Sequence, residues 1–335
     1  MKLATIEKIT SIEEIKGADF ISGAKVLGFK SVIKKNQFAV GDLVIFIRPD
    51  SIIKREEWNS FLWPKDDKSP NGAPIKIKAC RFRGFCSQGL IVDLSILSKK
   101  VADLKEGDDV TEILEITKYV KEIPVGMSGD IVGDFPAFLK RTDELNLESY
   151  PSVISHFIGK PCIATVKMDG TSCTAYNKNG KFGVCSRSKE LKEGNNVYWV
   201  SARKYNLEEA LKGGDLALQY EVVGPGINGN KMNLKEIEVR AFNLWDCENL
   251  CYCSFTLFKN FCSVSKIPIA DVVWCGVFNG NLEYLKQLSN RQDYSEGLPA
   301  EGIVFRTIEE SYCEILNGRG SVKILNENFL IKYGE

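Results

Sequence analysis

The stretch Ile163-Ala164-Thr165-Val166-Lys167-Met168-Asp169-Gly170 decides how the second half of this chain is read. A short apolar run leads straight into a lysine, and an Asp-Gly pair then turns the chain. The spacing predicts a strand over 163–166 that ends at Lys167. Working outward, Ser172–Asn177 and Lys181–Cys185 read as the arms of a hairpin with Asn179-Gly180 at its tip. Tyr198–Leu211 reads as a helix with Val200, Leu207, Ala210 and Leu211 on one face. Leu216–Val223, Val239–Trp245, Ile303–Arg306 and Ser321–Leu325 read as further strands. Strands and helices mixed in this way place the second half in the α+β class.

The N-terminal part differs. Ala24–Ile33, Leu43–Ile47, Ile75–Phe82 and Gly89–Leu94 read as strands, with turns at Asn36 and Gly41-Asp42 and a long loop over Asp66–Pro74. Many short strands in about a hundred residues predict a small β-barrel. From Lys121 to Tyr150 the character changes. Pro124, Gly126, Gly129, Gly133 and Pro136 break regular structure, and Lys140–Glu148 predicts a short helix. The expected organisation is a barrel domain over 1–130, a linker over 131–155 and a second domain over 156–335.

With 335 residues the chain is long enough for two domains, each with its own core. No apolar run approaches the length of a membrane span, and the N-terminus lacks a secretory pattern. The 11 cysteines are scattered and odd in number, which fits free thiols in a reducing, intracellular compartment. Cys247, Cys251 and Cys253 lack paired metal-ligand spacing, so core or surface thiols are expected there. The single histidine, His156, gives little support to His-based catalysis, and a buried or capping role is expected. Forty-four basic residues balance 44 acidic ones, so any polyanion site must be a local patch.

Five pieces of the second half belong together chemically. Lys167 and Asp169 put an amine and a carboxylate at one strand end; alone, a solvated lysine before an Asp-Gly turn is the simpler reading. Arg187 in Ser186-Arg187-Ser188 can fork onto phosphate or a ribose hydroxyl, or lie on the surface. Glu221 sits in the apolar run Leu218–Val223, before the turn Gly224-Pro225-Gly226 with Asn228 and Asn230 beyond. Glu301 heads the strand Ile303–Arg306, and Lys323 interrupts the strand Ser321–Leu325, with Lys332 further on. An amine attacks phosphorus only after losing its proton. Three carboxylates suited to a hydrated divalent cation (Asp169, Glu221, Glu301) and cations for phosphate suit nucleotidyl transfer. Such chemistry needs positioning more than histidine.

In this order Lys-x-Asp-Gly, Ser-Arg, Glu-x-x-Gly, Phe242-x-x-Trp245-Asp246, Glu-Gly-Ile-Val and Val-Lys resemble the motifs of the covalent nucleotidyltransferases, the superfamily of ATP-dependent ligases and capping enzymes. The resemblance covers most of Ile163–Tyr333. Asn36–Asp42, Arg48–Ser51 and Arg83–Leu90 resemble the N-terminal OB-type barrel of the RNA ligase 5 family, the Deinococcus and Naegleria type. An OB-type domain before rather than after the transferase domain fits that family.

The resemblance implies an ATP-dependent RNA ligase that joins 3′-OH to 5′-phosphate ends at nicks with RNA on the 3′-OH side. It implies ATP and Mg2+ or Mn2+ as cofactors, RNA or an RNA-containing nicked duplex as partner, and action as a monomer. Lys167 would carry AMP. Val166, Lys167, Arg187, Glu221, Gly224, Phe242, Lys323 and Lys332 would contact the nucleotide, with Phe242 stacked on adenine and Gly226 and Asn230 shaping the pocket. Asp169, Glu221 and Glu301 would hold the metal, through water. Two positions depart from the family pattern: Leu325 stands where many relatives carry a second lysine, and Asn228 where they carry Gln. In the barrel, Lys76, Lys78, Arg81 and Arg83 form a candidate nucleic-acid patch. A capping-type guanylyltransferase and a nucleic-acid-binding protein with an inactive transferase domain are the competing readings.

Overall fold

The computed structural model describes residues 2–100, 104–119 and 130–334. The chain divides into two units: Met1–Lys121 with Glu148–Pro151 and Glu327–Glu335, and Glu122–Leu147 with Ser152–Asn326. The expectations at Pro124, Gly126 and Gly129 fall outside the described residues. No helix of the described chain is long and apolar enough to cross a membrane.

The first unit is built on a five-stranded antiparallel sheet. Its strands are β1 (Ala4–Glu14), β2 (Ile21–Val26), β3 (Phe29–Lys34), β4 (Leu43–Ile47) and β5 (Leu90–Val92), in the order β3-β2-β1-β4-β5. The central strand β1 was not anticipated, because charged residues dilute its apolar alternation and only its first half is uniformly buried. The single strand expected over Ala24–Ile33 is a hairpin: Val26 pairs with Phe29, and Leu27 turns with φ +53°. Side chains of β4 serve two clusters by alternation. Val44 and Phe46 pack with Ile9, Val26, Phe29 and Ile91, while Ile45 and Ile47 pack with Ile6, Ile53, Val92 and Val110. Ile75–Phe82 is likewise split into Ile75–Lys76 and Cys80–Phe82.

The second unit is built on two larger sheets. One has seven strands and includes β7 (Thr171–Lys178), β8 (Lys181–Cys185), β9 (Leu216–Val223) and β10 (Glu238–Asp246) as neighbours in the order β8-β7-β9-β10. The other has five and contains β6 (Pro161–Lys167), β11 (Val272–Val277), β12 (Gly302–Thr307) and β13 (Ser321–Leu325), in the order β13-β12-β6-β11. Helices α1 (Val197–Lys204), α2 (Leu207–Leu211) and α3 (Phe255–Val264) bring Tyr198, Ala202, Leu207, Leu211, Phe258 and Cys262 into one core with the seven-stranded sheet. The helix expected over Tyr198–Leu211 is two helices, because Asn206 takes the left-handed conformation at φ +50°. The helices α3 and α4 (Leu282–Asn290) and the strand β11 were not anticipated.

The expected linker is not free of structure where it is described. Ile131–Asp134 pairs with Lys189–Leu191 at the edge of the larger sheet. Lys140–Glu148 is not a helix. Leu145-Asn146 runs parallel to β13, so the sheet ladder replaces helical bonds. The C-terminal helix α5 (Glu327–Tyr333), with Lys332, counts with the first unit. All eleven cysteines are free, and His156 is half-buried with Nε2 at 2.9 Å from Ser311 Oγ.

Candidate active site

Strand β6 is buried along most of its length and delivers Lys167 at its end. Lys167 pairs across the sheet with Gly302, so Glu301 lies beside it. The Lys167 Nζ donates to Glu301 Oε2 at 2.7 Å. Gly302 is required here by space: a Cβ would lie 2.1 Å from the Ile324 carbonyl oxygen on β13. Gly170 plays the same part on the other side, since a Cβ there would lie 2.3 Å from Val222 O and 2.7 Å from Glu221 Cγ. The Asp-Gly turn thus lies against β9, where Glu221 pairs with Ser172. Lys323 lies opposite Val304 on β13. Lysine and carboxylates from four strands therefore converge where the two sheets meet over Val166, Met168, Val223, Ala270 and Ala300.

The electrostatics follow from this crowding. Burial works to neutralise Lys167, but Glu301 and Glu221 outweigh it and hold its pKa above the ordinary lysine value. Burial pushes the Glu221 carboxyl up to about 8, Lys167 opposes, and the nearby Glu301 and Asp169 add to the rise. Burial and the charge of Lys167 lower the Lys323 pKa. Asp169 is paired with Lys231 at 2.7 Å, both side chains being about nine-tenths buried. Among the described residues no group of three acidic, histidine or cysteine side chains is close enough to ligate an ion directly. The donors are all hard carboxylate oxygens, and the ammonium groups of Lys167 and Lys231 lie 2.7 Å from Glu301 and Asp169. That set fits a hydrated Mg2+ or Mn2+ held partly through water.

After β9 the chain turns at Gly224 and Gly226, with φ +128° and +79°. A Cβ on Gly224 would lie 2.5 Å from Glu236 O. Asn228 ties this loop to the lysine turn: its Nδ2 donates to Gly170 O at 2.6 Å and to Asp169 Oδ1 at 3.1 Å. Asn230 closes its own loop by bonding both backbone groups of Leu234. Phe242 occupies a β-bulge, for Gln219 pairs with Asn243 and Tyr220 with Ala241, leaving it unmatched. Buried Arg306 supports that bulge, donating to Phe242 O at 2.9 Å and Asn243 Oδ1 at 2.7 Å. Arg187 is not buried with these groups. It is 3.2 Å from Asp143, and both side chains are about three-fifths exposed. Lys332 lies on α5 in the first unit. Sequence reasoning missed Lys231, Arg306 and Tyr294; an arginine inside an apolar strand was a usable signal for Arg306, whereas Tyr294 offered none.

Residues 3–94 match an OB-fold domain family and residues 160–325 match the RNA ligase family. No curated protein sequence is matched. Among solved structures, the Naegleria gruberi RNA ligase as a glutamate-to-alanine mutant with ATP and Mn is 30% identical, covers 100% of each chain and has a TM-score of 0.87. A second such mutant of that enzyme, with AMP and Mn, is 29% identical over 98% of each chain, TM-score 0.84. The enzyme with pyrophosphate is 29% identical over 98% of each chain, TM-score 0.83. The likeness runs through the OB-fold domain as well as the domain that carries Lys167, and by it this chain belongs to the RNA ligase family.

Proposed function

We propose that this ligase uses ATP to join RNA 3′-OH ends to 5′-phosphates, acting as a monomer at nicks with RNA on the 3′-OH side, with AMP carried on Lys167. The observation that carries this reading is the Lys167 Nζ lying 2.7 Å from Glu301 Oε2, with Glu221 on the adjoining sheet. In the first step the Nζ lone pair forms a bond to the α-phosphorus. The bond from that phosphorus to the β-bridging oxygen breaks, and pyrophosphate leaves with the electrons. Nζ must first shed a proton, and Glu301 Oε2 is the acceptor within reach. A divalent cation among Asp169, Glu221 and Glu301 would neutralise phosphate charge and compete with the ammonium for these carboxylates, easing that loss. The RNA 5′-phosphate then attacks the same phosphorus and frees Lys167. Finally the 3′-OH attacks the capped 5′-phosphate and AMP leaves. Phe242 stacks on adenine, Lys323 faces the α-phosphate, and Arg187 meets the ribose or the strand end.

Incubation with α-labelled ATP or GTP and Mg2+ or Mn2+ tests the reading. Covalent label from ATP is expected. Label from GTP alone would replace it with a guanylyltransferase, and no label with either metal would overturn both. Sealing of nicks with ribose or deoxyribose at the 3′-OH then reads the RNA preference.

For RNA contact the first unit supplies Lys78, Arg81 and Arg83. Lys78 and Arg83 are exposed, and Arg81 donates to Asn328 at 3.2 Å. Lys76 is less free, 3.1 Å from Asp50 and 3.8 Å from the Tyr119 ring centre. Changing Lys78, Arg81 and Arg83 together to serine is expected to weaken nick binding. The slope of log affinity against log salt should fall by roughly 3, one per lost phosphate contact. An unchanged affinity and slope would remove this patch from the interface.

A further inference from the structure

We infer that Tyr294 is a positioning residue for AMP transfer to Lys167, clamping the lysine turn and the Glu301 strand to one point; this rests on the ligase reading above. Tyr294 sits in a small hairpin, Asp293–Ser295 with Leu298-Pro299. Its ring packs with Val166, Met168, Val223 and Ala300, the apolar floor beneath the site. Its hydroxyl donates to the Lys167 carbonyl at 2.9 Å. The same oxygen accepts from the Asp169 N–H at 2.8 Å and from the Glu301 N–H at 3.1 Å. A phenol has one donor and two acceptor lone pairs, and all three are used. Every bond goes to the backbone of a residue whose side chain does the chemistry.

One of those backbones closes the sheet ladder, Lys167 opposite Gly302, the residue after Glu301. The ladder ends there, however. Asp169 has turned away toward β9, and Glu301 precedes the strand, where its carbonyl still accepts from the Asn326 N–H at 2.9 Å but nothing in the ladder ties it to the lysine turn. The phenol continues the restraint where the ladder stops. Tyr294 touches no reacting atom. It acts by setting the distance from Lys167 Nζ to the carboxylates and to the α-phosphorus, where displacements of about 1 Å can change rates by about 100-fold.

The test is Tyr294→Phe, which keeps the ring and removes only the hydroxyl. Single-turnover formation of labelled lysyl-AMP from ATP is measured against ATP concentration in wild type and variant. Sealing of a strand already carrying AMP on its 5′-phosphate is measured alongside, because that step does not use Lys167 as nucleophile. Thermal melting reports folding. The expected result is a fall of roughly 10- to 100-fold in the maximal rate of lysyl-AMP formation, with half-saturating ATP changed less than about threefold and AMP-strand sealing nearly retained. Equal loss in both steps with a lowered melting point would mark Tyr294 as merely structural and overturn the inference, as would wild-type rates in both. Absence of label from the wild-type protein would instead overturn the ligase reading itself.

Discussion

Changing Lys167 to alanine is expected to abolish covalent labelling by ATP and to lower sealing of ordinary 5′-phosphate ends by roughly 10,000-fold or more. The size of the effect follows from the role. Other groups in the site lower a barrier, but Lys167 provides the atom that forms the bond. Among the described residues Lys323 is a second lysine in the same field, its pKa lowered by burial and by Lys167. It lies on β13, separated from β6 by β12, and does not meet Glu301 as Lys167 does. Lys167→Arg should fail equally, since a guanidinium does not give up its proton in a protein. A strand already capped with AMP should still be sealed by Lys167→Ala, because the nucleophile there is the RNA 3′-OH. Retained labelling in Lys167→Ala would move the covalent site elsewhere. Failure of the capped strand as well would mean that the lysine also organises the final step.

The sequence disclosed the chemistry better than the geometry that holds it. Lys167, Glu221, Glu301 and Lys323 are charged residues inside or beside apolar strands, and such interruptions are visible without a structure. Their convergence was implied by chain order, and the strands that carry them lie close to where periodicity put them. Tyr294 was invisible, because a tyrosine in a short hairpin has no signature until its hydroxyl is seen on three backbones. Lys231 was hidden for a related reason: a lysine after Asn-Gly-Asn reads as surface loop, yet its partner Asp169 draws it inward. In the first unit β1 escaped because its charged residues blurred the alternation. In the second, Asn206 ended one helix and began another by a single left-handed residue. Segments over 131–147 looked like a linker because short edge strands gain their order from sheet partners, not from their own pattern.

Gly170→Ala should be among the most damaging changes of a single methyl group in the molecule's second unit. The motif glycine is usually read as a turn residue, but Gly170 does not owe its place to a left-handed conformation, being absent from the positive-φ positions. It is there because β9 is too close. The added carbon would meet Val222 O at 2.3 Å, and Glu221 Cγ and Val223 Cγ1 at 2.7 Å. The oxygen belongs to the backbone of a strand paired on both sides, so it cannot swing aside as a side chain tip would. Overpacking of this kind costs about 1–3 kcal/mol. At about 2–4 °C per kcal/mol for a domain of this size, melting should drop by several degrees. The functional loss should be larger than the stability loss suggests. The strand can relieve the clash only by moving away from the turn, which separates Glu221 from Lys167, and about 1 Å of such movement is expected to slow lysyl-AMP formation by roughly 100-fold. Gly213→Ala is the matching control, since a Cβ there meets nothing within 4 Å. It should melt and label as the wild type does. If Gly170→Ala also behaves as wild type, β9 is free to shift without consequence, and the close approach of turn and strand has no part in placing Glu221 beside the nucleophile.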